Sequence, residues 1–284
     1  MVVLDGEIGN YVISGNKKYS YFAGNNYLGL ATHPEIKDAA VRAVKKYGTG
    51  FSASRQTTGT SWLHLELEKE LSLFKQKDDS VIFASGYLGN RILMEVLQDR
   101  YASVFIDQDS HPSIIFGIPA GKSDIFRYNH CDTADLESKL KENNRGMPLI
   151  ITDGVFALTG EIAPLDKIYD LATGYNGILI VDDAHSTGIL GETGRGTPEH
   201  FGLDGAKGIW QSETMSKALG SYGGFISSDS VLTGQIRESS AIYQASTSLP
   251  PAVVAAGTAS LKIIRENPGF RTELTEKARF LRNG

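Results

Sequence analysis

The sequence holds a single cysteine, Cys131, so it can form neither an intrachain disulfide nor a cysteine cluster for a metal, and a reducing, cytoplasmic setting is expected. Positive charge is not in surplus: 28 Lys and Arg against 33 Asp and Glu leave a formal −5. No basic run interleaved with aromatics offers a track for nucleic acid. Apolar runs of the ~20 residues that span a bilayer are absent. The start, Met1-Val2-Val3-Leu4-Asp5-Gly6, has no basic n-region and no apolar stretch of signal length. Nucleic acid and membrane are therefore not expected partners. Internal repeats and low-complexity segments are lacking too.

What the chain does have is length and apolar content, 284 residues at 41% hydrophobic, enough for a large domain and a piece of a second. From residue 78 onward, short apolar runs at 81–84, 104–106, 149–152, 178–181 and 209–211 alternate with helical patterns at 135–141 and 165–172. Several of the runs are apolar on both faces, as covered parallel strands are, and the helical segments read as crossovers. The fold class is α/β: a mostly parallel central sheet with helices on both faces.

Residues 1–50 read as an N-terminal lead-in, with the turn-rich Gly24-Asn25-Asn26-Tyr27-Leu28-Gly29 before a helix over 34–46 that ends at Gly48. Residues 51–250 form the large domain. In it, a helix over 64–74 sets Leu63, Leu67, Leu71 and Phe74 on one face and turns Glu66, Glu68, Lys69 and Glu70 to water. Residues 251–284 are the helical start of a C-terminal part: a helix over 252–265, a break at Pro268-Gly269, and a last polar helix.

Three polar segments follow predicted strands, where open α/β sheets place their ligands. Ser85-Gly86-Tyr87-Leu88-Gly89-Asn90 opens a helix and can offer backbone N–H groups to a phosphate, though many βα turns contain glycine. Asp182-Asp183-Ala184-His185 can pair one carboxylate with a protonated ring nitrogen, or simply cap the strand and turn. Thr214-Met215-Ser216-Lys217-Ala218-Leu219-Gly220 offers an amine able to form a Schiff base with a carbonyl cofactor, with hydroxyls beside it. An isolated lysine there would be an ordinary solvated side chain. In company with Asp182 it supplies a nucleophile and an electron-sink partner.

At these residues the sequence resembles the fold-type I enzymes that depend on pyridoxal 5′-phosphate (PLP), and within them the α-oxoamine synthase family. That family includes 8-amino-7-oxononanoate synthase, glycine C-acetyltransferase and serine palmitoyltransferase. The resemblance runs through Asn25-Asn26-Tyr27-Leu28-Gly29-Leu30, His64-x-x-Leu67-Glu68, Ser85-Gly86-Tyr87, Asp109-Ser110-His111, Asp153-Gly154-Val155-Phe156, Asp182-Asp183-Ala184-His185, Gly194-Arg195-Gly196, Ser216-Lys217-Ala218 and Ser246-Thr247-Ser248-Leu249-Pro250-Pro251. The ordered set is far more specific than any one member.

The resemblance implies that Lys217 carries PLP as a Schiff base, Asp182 pairs with its pyridine nitrogen, and His185 contacts its phenolic oxygen. It further implies that His111 stacks on the ring and that Gly86, Tyr87 and Thr214 lie near the phosphate. Thr247 would reach the phosphate of a partner subunit, and Asn25 would face the substrate. The implied reaction is a decarboxylative condensation of an amino acid with an acyl-CoA thioester, giving an aminoketone, in a homodimer. The leading expectation is the 8-amino-7-oxononanoate synthase type, a step of biotin biosynthesis that uses alanine and a long acyl thioester. An aminotransferase shares the Asp and Lys roles, although His111 favours the synthase, and a catalytically inactive partner subunit is a third reading.

Two departures from the family stand out. Ala157 occupies a position that is usually serine, so one hydroxyl for the phenolic oxygen is lacking. The family also continues into a small C-terminal domain that supplies an arginine for the substrate carboxylate; that domain is expected to be missing here, and no such arginine is named. His33, His130 and His200 lack ligand spacing and read as surface residues. Arg55 is read as structural ahead of substrate-binding, and Arg195 as a candidate for the subunit interface.

Overall fold

Runs rich in Ile, Val and Phe that are buried along their length build the centre of the molecule. The computed structural model describes residues 2–121, 124–143 and 145–283. β1 (Tyr11–Ser14) and β2 (Lys17–Ser20) pair as an antiparallel hairpin apart from the main sheet. The main sheet holds β3 (Asp79–Phe83), β4 (Ser103–Asp107), β5 (Ile125–Tyr128), β6 (Pro148–Asp153), β7 (Ile178–Asp182), β8 (Ile209–Thr214) and β9 (Gly224–Ser228). Its order is β3-β9-β8-β7-β6-β4-β5.

β5, β4, β6, β7 and β8 run parallel, while β9 is antiparallel to both β8 and β3. β3 and β8 therefore point the same way, and the carboxyl ends of six strands share one edge of the sheet. The connection reverses direction at β4, whose neighbours are β5 on one side and β6 on the other. A crevice outside the carboxyl ends at such a switch point is where open α/β sheets bind ligands.

The five strands expected from apolar runs are all present. β5 and β9 were not expected, for different reasons. β5 is a partly exposed edge strand, and β9 carries glycine and two serines through a buried position. Ser227 Oγ meets Ser80 Oγ of β3 at 2.7 Å, so the polar atoms of that buried pair satisfy each other.

Helix α1 (Pro34–Tyr47) packs on a later helix, while α2 (Trp62–Lys75), α3 (Gly89–Val96), α4 (Pro112–Gly117), α5 (Thr133–Glu142) and α6 (Leu165–Gly174) lie about the sheet, α5 and α6 serving as the expected crossovers. α2 docks Leu67 and Leu71, both fully buried, against Ile82 and Phe225, each side chain contributing about 1.5–3 kcal/mol. Helix Pro251–Glu266 packs on α1 and α2 and adds Val254, Leu261 and Ile264 to the same cluster.

One expectation on α2 is corrected. Glu68 does not face water: it is buried and takes a bidentate contact from Arg55, at 2.9 and 2.8 Å. Its Oε1 also accepts the Ile82 backbone N–H at 3.2 Å. Arg55 is thus structural, tying the loop before α2 to β3. His64, fully buried, caps α2 through Ser61 and reaches the Leu249 carbonyl at 3.0 Å. Burial first, then the Arg55 charge, pushes its pKa down to about 4, so the ring is neutral.

Candidate active site

Seven groups converge at the carboxyl edge of the sheet. Asp107 ends β4 and leads to His111 at the start of α4; Asp153 ends β6; Asp182 ends β7 and leads to His185; Thr214 ends β8 and leads to Lys217. The turn Gly86–Leu88 after β3 completes the rim.

The two adjacent aspartates have separate tasks, which the sequence left open. Asp183 is fully buried and holds structure: it accepts the Thr197 N–H at 3.0 Å, the Thr197 hydroxyl at 2.6 Å, and donors from Ser186 and Gln211. Asp182 faces the cleft side. Its Oδ2 accepts Asn90 Nδ2 at 2.7 Å and Ser113 Oγ at 3.2 Å, and its Oδ1 accepts the Ala184 N–H at 3.1 Å. Neutral donors hold it in place, and it forms no ion pair among the described residues. A buried carboxylate ordinarily has a cationic partner.

Asp153 lies beside Asp182 in register across β6 and β7 and accepts the His111 N–H at 3.0 Å. Burial first, then the neighbouring Asp182 charge, raises its pKa to about 7. A carboxyl raised in this way stabilises the fold below its unfolded-state value, and that contribution is lost as pH rises through about 7. Asp153→Asn is therefore expected to raise the melting temperature of the cofactor-free protein relative to the parent at about pH 8 and to give a smaller advantage at about pH 5, which lies between the unfolded and folded values. Calorimetry at both values checks this, and an equal shift at the two would mean that the carboxyl is not raised.

Lys217 is half-buried in a tight turn. The Gly220 N–H bonds the Lys217 carbonyl at 3.0 Å, and Met215 and Gly223 close the loop at 2.8 Å. Gly220 has φ 57°, and a Cβ there would stand 2.4 Å from the Ala31 nitrogen, so the turn admits no other residue without displacement. Burial lowers the pKa of the Lys217 amine, against the opposing pull of Asp182 and Asp153. A less basic amine is a better nucleophile near neutral pH.

His111 caps α4, its Nδ1 accepting the Ser113 N–H at 3.2 Å, and the Tyr87 ring stands edge-on to it at 6.2 Å. Thr214 Oγ1 meets Ser216 Oγ at 2.8 Å and donates to the Gly223 carbonyl at 3.0 Å. Gly86 approaches Thr214 so closely that a Cβ would lie 2.6 Å from the threonine Cβ. His185 Nδ1 meets Tyr27 Oη at 2.7 Å, and Tyr27 Oη lies 3.3 Å from Asn25 Oδ1. Burial first, then the Lys217 charge, pushes the pKa of His185 down to about 4.

The site residues expected from the sequence are thus brought to one edge, with one separate. Thr247 is exposed and pairs by backbone with Ser54, and no hydrogen bond ties it to the strand-end group among the described residues. Ala157 borders two cavities. One, of about 330 Å³, is shared with His111 and Asp153; the other, of about 860 Å³, runs from Tyr27 and His185 along Phe156, Ile162, Ile189 and Leu190.

Asn90, read only within the turn offered to a phosphate, and Ser113 and His130, which had no reading as site parts, take roles the sequence did not assign. Asn90 and Ser113 position Asp182, and only their place behind Gly89 and His111 could have pointed to them. His130, expected at the surface, is instead held between Asp107 Oδ1 at 2.9 Å and Glu161 Oε2 at 3.0 Å. It stands edge-on to Phe156 at 4.3 Å and so pins the loop that carries Ala157. Asp107, His130 and Cys131 are close enough to share a metal ion, but both imidazole nitrogens are engaged, and burial pushes the thiol up to about 11. Arg195 makes intrachain contacts to Glu199, Asp204 and Gln76.

The model of the aminotransferase class I and II family matches residues 17–284. The chain belongs to this family. Within it, the chain lies among the α-oxoamine synthases. It is 40% identical to an 8-amino-7-oxononanoate synthase of Treponema denticola over 286 residues, covering 100% of this chain and 72% of that protein. It is 39% identical to the enzyme of the same name from Lysinibacillus sphaericus over 272 residues, covering 95% of this chain and 70% of that one. A serine palmitoyltransferase from S. paucimobilis, solved with a bound PLP–myriocin aldimine, superposes with a TM-score of 0.91 at 30% identity, covering 98% of this chain and 70% of that one.

Proposed function

We propose that this α-oxoamine synthase chain binds PLP and joins the α-carbon of an amino acid to an acyl-CoA thioester with loss of the carboxylate, as 8-amino-7-oxononanoate synthases do. Membership of the family and the names of the relatives support the reaction class. The observation that carries the reading is the buried Asp182, fixed by Asn90 and Ser113 and without a cation of its own, in the same crevice as Lys217.

These residues fit PLP. A protonated pyridine nitrogen is the cationic partner that Asp182 lacks. Lys217 offers an amine of lowered basicity for the aldehyde, and the hydroxyls of Thr214 and Ser216 beside Gly86 suit the phosphate. When bound, PLP supplies an electron-withdrawing ring that stabilises negative charge at the α-carbon of an attached amino acid.

The chain's own residues do the rest. Asp182 keeps the ring nitrogen protonated. Lys217 would hold the cofactor's aldehyde carbon and, when its amine is free, would take the α-proton, a role typically worth about 10²–10⁴-fold. His111 and Asp153 border the smaller cavity, and the neutral His185 can face the phenolic oxygen without placing a second positive charge beside Lys217. The apolar wall of the larger cavity suits a long acyl chain. The working form is a homodimer, in which Thr247 serves the partner's phosphate. No helix among the described residues is long and apolar enough to cross a membrane.

The test is an absorbance titration of the PLP-loaded protein with glycine, L-alanine and L-serine, followed by acyl-CoA. A saturable spectral change with one amino acid, then release of free CoA and carbon dioxide, is expected with alanine. Amino-group transfer to a 2-oxo acid without CoA release would make the protein an aminotransferase. Binding of PLP without turnover would make it an inactive partner subunit.

A further inference from the structure

We propose that Tyr27 is a positioning residue: it donates its hydroxyl proton to His185 Nδ1 and so fixes the single proton of that ring on Nε2, as an N–H donor. The inference rests on the PLP site described above, because it concerns the group that faces the cofactor's phenolic oxygen.

The geometry makes the assignment. Tyr27 Oη has two neighbours, His185 Nδ1 at 2.7 Å and Asn25 Oδ1 at 3.3 Å. One phenolic proton serves one of them, and the shorter contact has the length of a strong hydrogen bond while the longer exceeds the usual range. Burial raises the pKa of Tyr27, so the proton stays on the phenol. His185 is neutral because its pKa is pushed down to about 4, and a neutral imidazole with an acceptor at Nδ1 carries its hydrogen at Nε2.

The donor is also held rigidly. Leu28 and Leu30, on either side of Gly29, are buried in the cluster formed by α2 and helix Pro251–Glu266. The Gly29 N–H bonds the Asn26 carbonyl at 3.0 Å, and the Ala31 N–H bonds Asn26 Oδ1 at 3.1 Å. The Tyr27 ring is tilted 52° to the His185 ring with centroids 6.1 Å apart, so the two meet through the polar atoms rather than by stacking. A supporting residue locked by packing is what keeps a catalytic side chain in one orientation.

The consequence is specific to this chain. With Ala157 in place of a hydroxyl-bearing residue, the phenolic oxygen has one fewer donor, and His185 must supply its hydrogen bond in the correct tautomer. The mirror arrangement, with hydrogen on Nδ1, would present a lone pair to an oxygen that is itself an acceptor.

The experiment is ¹⁵N-histidine NMR of the cofactor-free protein near neutral pH, with His185 assigned by substitution. The parent is expected to show the Nε2–H tautomer. In Tyr27→Phe the signal should move toward a mixture of both tautomers, with PLP binding weakened by about three- to tenfold, the worth of one ordinary hydrogen bond. Asn25→Ala should leave the tautomer in place. A parent ring protonated at Nδ1, a tautomer that ignores the loss of the Tyr27 hydroxyl, or one that moves with Asn25 would each overturn the proposal. The site reading has its own control: a covalent-link absorbance band that survives Lys217→Ala would overturn that reading, while the tautomer result on the free protein would stand.

Discussion

Lys217→Ala is expected to lose the visible absorbance that reports the covalent link between protein and cofactor, and with it nearly all turnover. The lysine has two tasks in this site, and the substitution removes both. Its amine is the one on which the charges of Asp182 and Asp153 both act, so no other group is expected to take over the carbonyl carbon. As the base for the α-proton it is worth about 10²–10⁴-fold, which sets the expected fall in rate. PLP should still bind, more weakly, through Asp182 and the Thr214 and Gly86 turn, because those contacts do not involve the amine. The side chain sits in a turn rather than in the core, so the melting temperature should change little. Partial recovery of rate with small primary amines in solution would separate a lost base from a distorted site. Persistence of the absorbance band in the variant would remove Lys217 from its assigned role.

The parts of the fold legible in the sequence were those where one signal dominates. Strands β4, β6 and β7 are buried along their length, and continuous runs of Ile, Leu, Val and Phe can satisfy that in few other ways. β9 stayed hidden because its burial is polar: Ser227 is acceptable only because Ser80 lies across from it, and a partner 147 positions away leaves no local trace. Glu68 misled for the same reason. Its charge grouped it with Glu66 and Glu70, yet at helical spacing it shares the buried face of His64, Leu67 and Leu71, and the cancelling charge of Arg55 comes from a loop that precedes the helix.

The site divides along the same line. Lys217, Asp182, His185 and His111 sit in motifs directly after strands, so their convergence follows from parallel topology once the strands are placed. What sequence could not assign were the supporting groups, whose roles exist only as contacts. Asn90 and Ser113 hold Asp182 from α3 and α4, and Tyr27 reaches His185 across 158 positions. Asp182 and Asp183 were indistinguishable as neighbours in a string. Alternation along the chain turns one toward the cleft and the other toward Thr197 and Gln211.

Breaking the pair between Lys75 and Glu213 is expected to cost the most stability of any change outside the cleft. Their side chains are 1% and 0% exposed and meet at 2.5 Å, tying the end of α2 to β8 one residue before Thr214. Thr187 adds a hydrogen bond to Glu213 at 2.7 Å, while Oε2 of the same carboxylate has no partner. Lys75→Met would strand a buried negative charge, at a cost of about 3–5 kcal/mol, and such losses are a large part of the ~5–15 kcal/mol that keeps a domain folded. The melting temperature should fall by about 10 °C. Burial already raises the pKa of Glu213, and without Lys75 it rises further. A raised carboxyl favours the folded state when protonated and disfavours it as pH climbs through its folded value, so the deficit should be smaller at about pH 5 than at about pH 8. Lys75→Met combined with Glu213→Leu should recover most of the loss, since an apolar pair of similar volume leaves no charge unmatched. If the double variant is as unstable as the single one, packing and the Thr187 bond, rather than the stranded charge, hold this corner of the sheet together.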